Sequence, residues 1–184
     1  MMDFMSIRKN YTEMEMISKS ISCAGTDLQI FDKSVGVLVS GGVDSAILLY
    51  YLMKHSTSTI HIYSQGFNAK YRRNTIIAPR VVEKCIQLTD NINVVHHINY
   101  KDVGTSTSIT EAPWIALEEG LINTLVIGTT MNPPDDIASS FTPELEYETT
   151  RQPTGNNELF IQSGKIYYPW ANTDKRGIAE MYKE

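Results

Sequence analysis

The sequence predicts an α/β protein built on a mainly parallel sheet, and three observations carry that expectation. Short β-branched runs alternate with helical patterns from Val35 onward. One of these runs passes straight into a helix through a glycine-rich turn. At 184 residues and 42 % hydrophobic, the chain is long enough for one compact domain over 1–184 and short for two.

The elements are read in chain order. Tyr11 to Ile21 reads as helical, so residues 1–33 are expected to form an N-terminal helical extension over an edge or face of the sheet. Four candidate strands follow at Val35 to Val39, Thr59 to Tyr63, Asn93 to Ile98 and Thr124 to Ile127. Between them, Ser45 to Lys54 is apolar on nearly every face, as expected of a helix packed on a sheet. Asn74 to Leu88 sets Ile77, Val81, Val82, Cys85 and Leu88 at helical spacing. Pro113 to Glu119 is a shorter helix closed by Gly120, a residue suited to a C-cap. Residues 131–157 contain four prolines and no clear period, which predicts a long irregular loop. Leu159 to Gln162 and Lys165 to Tyr168, separated by Ser163-Gly164, predict a hairpin or a broken strand. Thr173 to Tyr182 closes the chain as a short helix with Thr173 or Asp174 as its N-cap.

Composition narrows the partners. A net charge of -5 and a pI near 5.4 provide no electrostatic footprint for broad nucleic-acid or acidic-membrane binding. The two cysteines, Cys23 and Cys85, form no C-x-x-C pair or metal-ligand cluster, which argues against a structural zinc site. No apolar run approaches ~18 residues, and the first residues lack the pattern of a signal peptide. A soluble, cytoplasmic protein with reduced thiols is expected.

The chemistry is concentrated in Ser40-Gly41-Gly42-Val43-Asp44-Ser45, where a strand meets a helix. Such a turn delivers backbone N–H donors to the carboxyl end of a sheet, and the helix dipole favours an anion there. Glycines at 41 and 42 let an oxyanion approach the backbone. The hydroxyls of Ser40 and Ser45 add donors, and Val43 is expected to pack beneath the turn. Asp44 serves no purpose beside a bare anion, but beside a polyphosphate it suits a magnesium contact. The G-x-x-x-x-G-K-S/T and G-x-G-x-x-G patterns are both absent.

In this strand-to-helix setting, S-G-G-V-D-S resembles the PP-loop of the N-type ATP pyrophosphatase family. The resemblance implies a doubly wound, mainly parallel five-stranded sheet with helices on both faces, the HUP or adenine nucleotide alpha hydrolase-like fold. It implies an enzyme that uses ATP and Mg2+, adenylates a carbonyl or carboxyl oxygen of a small-molecule acceptor and releases pyrophosphate. A nucleophile such as ammonia then displaces AMP. Carried over residue by residue, Ser40, Gly41, Gly42, Val43, Asp44 and Ser45 would hold the pyrophosphate end of ATP, with Asp44 at the metal. Tyr63 and Ser64 would run beside the adenine, and Gly128 and Thr129 would lie against the nucleotide. Lys175, which follows Pro169 and opens the last helix, matches a phosphate contact or is a solvated first-turn residue.

The order of elements is most similar to the 7-cyano-7-deazaguanine synthase branch, with asparagine-synthase-like domains next. The former carries a four-cysteine zinc site that has no counterpart after Cys85. The acceptor pocket is then expected from loops or from a second subunit, as in a homodimer. The alternative is a non-catalytic adenine-nucleotide-binding module, or the ATP-binding subunit of a larger enzyme.

Other residues admit two readings. Arg72, Arg73 and Arg80 are either a phosphate or substrate patch or a solvated helix start. Asp135, Asp136, Glu144, Glu146 and Glu148 either place carboxylates over the site or belong to an acidic loop. His96 and His97 should face opposite sides of the sheet, where packing is favoured over proton transfer. Cys85 is expected in the core, and Trp114 and Trp170 either pack or stack on a base.

Overall fold

The computed structural model describes residues 17–67, 72–101, 110–131, 161–162 and 165–184. In chain order the elements are β1 (Ile17–Cys23), β2 (Thr26–Phe31), β3 (Val35–Leu38), α1 (Val43–His55), β4 (Ile60–Phe67) and α2 (Asn74–Thr89). After these come β5 (Val94–Lys101), α3 (Glu111–Glu118), β6 (Thr124–Val126), β7 (Ile161–Gln162), β8 (Ile166–Tyr167) and α4 (Lys175–Met181).

The main sheet runs in the order β5-β4-β3-β6-β8-β7. Its first five strands are mutually parallel, as expected, and β7 adds a short antiparallel edge through the predicted hairpin with β8. Chain order runs outward from β3 through β4 to β5, then returns to the other side of β3 for β6. The topological switch point therefore lies between β3 and β6, where open α/β sheets form a crevice at the carboxyl ends of their strands.

Alternation along the strands divides the core in two. Val35, Val37, Ile60 and Ile62 share one cluster with Leu48 and Leu52 of α1, Val82 and Cys85 of α2 and Ile178 of α4. Tyr63, Leu125 and Ile166 share the other with Ala116 and Leu117 of α3. Helices thus cover both faces. Gly36 permits this close packing, since a Cβ there would lie 2.4 Å from Ile122 Cδ1. Along α2 the buried stripe is Ala78, Val82 and Cys85, while Ile77 and Leu88 are exposed. Among the described residues, no helix is long and apolar enough to cross a membrane.

The expected helical extension is corrected over residues 17–31, because Ile17–Cys23 and Thr26–Phe31 form an antiparallel hairpin, while residues 1–16 lie outside the described residues. Its two-residue turn, Ala24-Gly25, has φ of 44° and 80°, the doubly left-handed geometry that matches strand twist. Leu28 and Ile30 then point inward with period two. Serine at positions 18, 20 and 22 is the two-residue period of a strand, a signal that the helical reading of Tyr11 to Ile21 overrode. The hairpin is anchored far along the chain. Gln29 N donates to Tyr167 Oη at 3.1 Å, and Ala24 N donates to Glu184 Oε1 at 3.1 Å. Tyr51 of α1 donates to the other oxygen of Glu184 at 3.0 Å.

Three histidines sit where burial disfavours their charged form. Burial depresses the pKa of His55, His61 and His96 below 6.5, with Lys19 and Lys54 adding to it at His55 and His97 at the other two. The unfolded chain therefore binds more protons than the folded one on the acid side of 6.5. Stability is complete above about pH 6.5 and declines as pH falls through that value toward the depressed folded pKa values. Urea midpoints at pH 7.5 and 5.5 should show the decline, and a His61→Gln, His96→Gln double variant should flatten it.

Candidate functional site

The Ser40 to Ser45 loop leaves β3 under restraint from β4. Val39 N donates to Tyr63 O at 2.9 Å, and Ser64 Oγ donates to Val39 O at 2.8 Å. Since the Ser64 hydroxyl spends its proton on Val39, the His96 ring 2.9 Å away supplies an Nε2–H to it. A line of hydrogen bonds from β5 through β4 therefore fixes the last residue before the loop.

Gly41 then turns the chain with φ of +84°. A Cβ at this position would lie 2.7 Å from Ile77 Cγ2 and 3.1 Å from Ala78 N, so the loop rests directly on the start of α2. The expectation that Val43 packs beneath the turn is corrected: Val43 is 59 % exposed, and the side chain that lies against Gly41 is the partly exposed Ile77. Within the loop, Gly42 N donates to Ser40 Oγ at 3.3 Å and Ser45 Oγ donates to Gly42 O at 3.0 Å. The two serine hydroxyls stand 3.4 Å apart.

Gly42 is the N-cap of α1 and offers no side chain to its first turn. The first intrahelical bond runs from Ala46 N to Gly42 O at 3.0 Å, which leaves the preceding first-turn amides of Val43, Asp44 and Ser45 without helical carbonyl partners. Those donors, the helix dipole and two hydroxyls make an anion cradle at the switch point.

Two distant segments close on the cradle. Gly128 follows β6, and a Cβ there would lie 3.3 Å from Asp44 O and 3.2 Å from Leu48 Cδ2, so this stretch packs on the first turn of α1. Thr129 is half-buried beside it and Thr130 is buried. Lys175 is the first residue of α4, whose N-cap Asp174 accepts from Arg176 N at 2.8 Å and Gly177 N at 3.2 Å. Burial alone would raise the pKa of Asp174, but hydrogen bonds from Arg176 and Gly177 outweigh it and hold the carboxyl below its ordinary range. This cap aims Lys175, whose Nζ forms an ion pair with Asp44 Oδ2. The Asp44 side chain is 20 % exposed and that of Lys175 63 %.

The remaining sequence candidates are distributed differently. Tyr63 and Ser64 are neighbours on a strand, so they face opposite sides of the sheet, and Ser64 is fully buried with its hydroxyl committed to Val39. Burial pushes the Tyr63 phenol up. Arg72 lies over the Tyr100 ring, 5.9 Å from its centroid, and Arg73 and Arg80 are exposed near the start of α2. Trp170 is fully buried in the core, and Trp114 donates to Glu118 at 3.0 Å. Burial raises the Cys85 thiol to about 11 and the Cys23 thiol to about 12, so neither is a ready thiolate. Asp135, Asp136, Glu144, Glu146 and Glu148 lie outside the described residues, as does the expected loop from 132 onward. The strut formed by His96 and Ser64 was missed by sequence reasoning. Its signal, a serine and a histidine on adjacent strands, has meaning only in the register that pairs Ile62 with His96.

No group of three or more histidine, cysteine or acidic side chains forms a metal cage among the described residues. The donor set at the cradle, one hard carboxylate beside an anion site, suits magnesium held jointly with phosphate oxygens, an ion that keeps few protein ligands.

A family model described as asparagine synthase matches residues 26–125, more than half of the chain, from the start of β2 into β6. No curated protein matches the chain significantly.

The contact beneath Gly41 leads to a direct expectation. Gly41→Ala combines a strained left-handed φ with a clash against helix backbone, so it should lower stability by about 1–3 kcal/mol and tilt the cradle. Urea denaturation and ATP titration of this variant should show both effects. ATP affinity equal to that of the parent chain would separate the loop conformation from binding.

Proposed function

Because the chain belongs to the asparagine synthase family, we propose that it is an ATP-dependent, AMP-forming ligase that activates a carboxyl or carbonyl oxygen and completes an amide. The observation that carries this reading is the uncapped first turn of α1, with Asp44 and Lys175 joined at its mouth. The family uses ATP to form an amide, which agrees with a cradle for polyphosphate at this place.

The roles follow from donor chemistry. The amides of Val43, Asp44 and Ser45 and the hydroxyls of Ser40 and Ser45 would donate to the oxygens that become pyrophosphate. One well-placed donor of this kind typically contributes about 3 kcal/mol to the barrier, because it meets charge as that charge develops. Asp44 would ligate magnesium, which when bound neutralises charge on the departing pyrophosphate. Lys175 balances Asp44 in the ligand-free chain. With polyphosphate present its ammonium has a stronger anionic partner within reach, so its flexible stem can transfer to a phosphate oxygen and release the Asp44 carboxylate. Gly128 leaves the first turn of α1 free of a side chain that would fill the crevice.

Buried thiols leave the nucleophile to be supplied from outside the protein, and ammonia or another amine fits an amide-forming reaction. A 7-cyano-7-deazaguanine synthase-like reaction uses the same adenylating half. The asparagine synthase match favours the amide.

The test is acceptor-dependent product analysis. With Mg-ATP, ammonium and a panel of carboxylates that includes aspartate, the chain should release AMP and pyrophosphate in equal amounts. Asp44→Asn should reduce that rate by about 100-fold or more, and Lys175→Met by about 10- to 100-fold. Folding should be affected little, since an exposed ion pair contributes about 0–1 kcal/mol. Release of ADP and phosphate would overturn the mechanism. Tight ATP binding with no AMP from any acceptor would instead favour a nucleotide-binding module or the ATP-binding subunit of a larger enzyme.

A further inference from the structure

The face of the sheet opposite α1 holds a second concavity. Tyr63 of β4, His97 and Asn99 of β5, and Ile115, Glu119 and Leu121 on or just after α3 line a cavity of about 370 Å3. That volume lies at the lower end of the range for small-molecule sites.

Its strand wall is polar and unsatisfied. Tyr63 is 3 % exposed, yet among the described residues its hydroxyl has no hydrogen-bond partner. Leaving such a group buried and unpaired costs about 1–3 kcal/mol. His97 spends Nε2 on His61 Nδ1 at 3.1 Å, which leaves its Nδ1 over. The Tyr63 and His97 rings stack 4.7 Å apart at 11°, so this wall is held flat in advance of any ligand. Apart from Glu119 the helix wall is apolar, and Ile115 and Leu121 are each 47 % exposed there.

Charge selects the ligand. Among the described residues, no lysine or arginine lines the cavity, and Glu119 is the lining residue with a formal negative charge. The Tyr63 oxygen, the Asn99 carbonyl and the Glu119 carboxylate can all accept hydrogen bonds. Tyr63 and Asn99 can donate as well, so it is the single formal charge among the described lining residues, negative at Glu119, that disfavours phosphates and carboxylates and sets this cavity apart from the cradle. An ammonium donates in three directions and meets acceptors here, while an apolar body beside it would cover Ile115 and Leu121.

We propose that this cavity is a binding site for a primary amine carried on a small apolar or aromatic body, with the ammonium toward Tyr63 and Glu119 and the body against α3. The site stands whether or not the loop turns ATP over.

The test uses the full chain, labelled for amide NMR and titrated with benzylamine, benzyl alcohol, benzoate and adenosine. Benzylamine should shift the amides of residues 97–99 and 119–121, with a dissociation constant on the order of 1 mM for so small a probe. Benzyl alcohol should bind about tenfold more weakly, and benzoate should leave these amides unmoved. Glu119→Gln and Tyr63→Phe should each weaken benzylamine by about three- to tenfold. Tyr63→Phe should melt no lower than the parent, because it removes an orphaned hydroxyl. The proposal fails if benzylamine moves none of these amides, if benzoate binds as well, or if both variants bind like the parent. Adenosine shifting the same amides more strongly than benzylamine would make this a base pocket and overturn it too. ATP titration of the loop amides in the same samples reads the proposed function separately.

Discussion

The contact between Gly41 and the start of α2 is the constraint on which the site depends. A left-handed backbone at this residue turns the chain from β3 into α1, and the missing Cβ lets the turn rest on Ile77 and Ala78. With the turn so placed, the first amides of α1 face the crevice and no side chain caps them. The open donors here are a consequence of what is left out: a Cβ at 41, a capping side chain at 42 and a Cβ at 128.

The loop is also held from behind. Val39 is bonded to β4 through both its N–H and its C=O, and His96 reaches the same serine from β5. Three adjacent parallel strands therefore determine where Ser40 begins. Such preorganisation matters for a site that works through donors, because donors already in place do not have to reorganise as charge moves. Asp44 and Lys175 add a pair 131 positions apart in the chain, brought together by the packing of α4 on the α1 side of the sheet.

The sequence pattern was most legible where the period was strong and the turn chemistry explicit. The strands at Val35, Ile60, Val94 and Thr124, the helices at Val43 and Asn74, the β7-β8 hairpin and the cap at Asp174 all stand within a few residues of their expected places. It was misread in β1, where Ser18, Ser20 and Ser22 recur with the two-residue period of a strand but the expectation extended a helical reading from Tyr11 through Ile21, and pairing with β2 decides for the strand. On α2 the apolar stripe was displaced because Ile77 serves the loop and Leu88 is exposed.

By itself the sequence determined the class of the fold, the position of the glycine-rich turn and the residue types available there, since these depend on local sterics and periodicity over a few residues. Tertiary structure alone decided that Ile77, not Val43, lies against the turn at Gly41, that Ser64 is a strut with Tyr63 on the opposite face, and that Lys175 meets Asp44. Each of these depends on strand register and helix docking, which bring together residues far apart in the chain, and no local pattern encodes a distance across 131 positions.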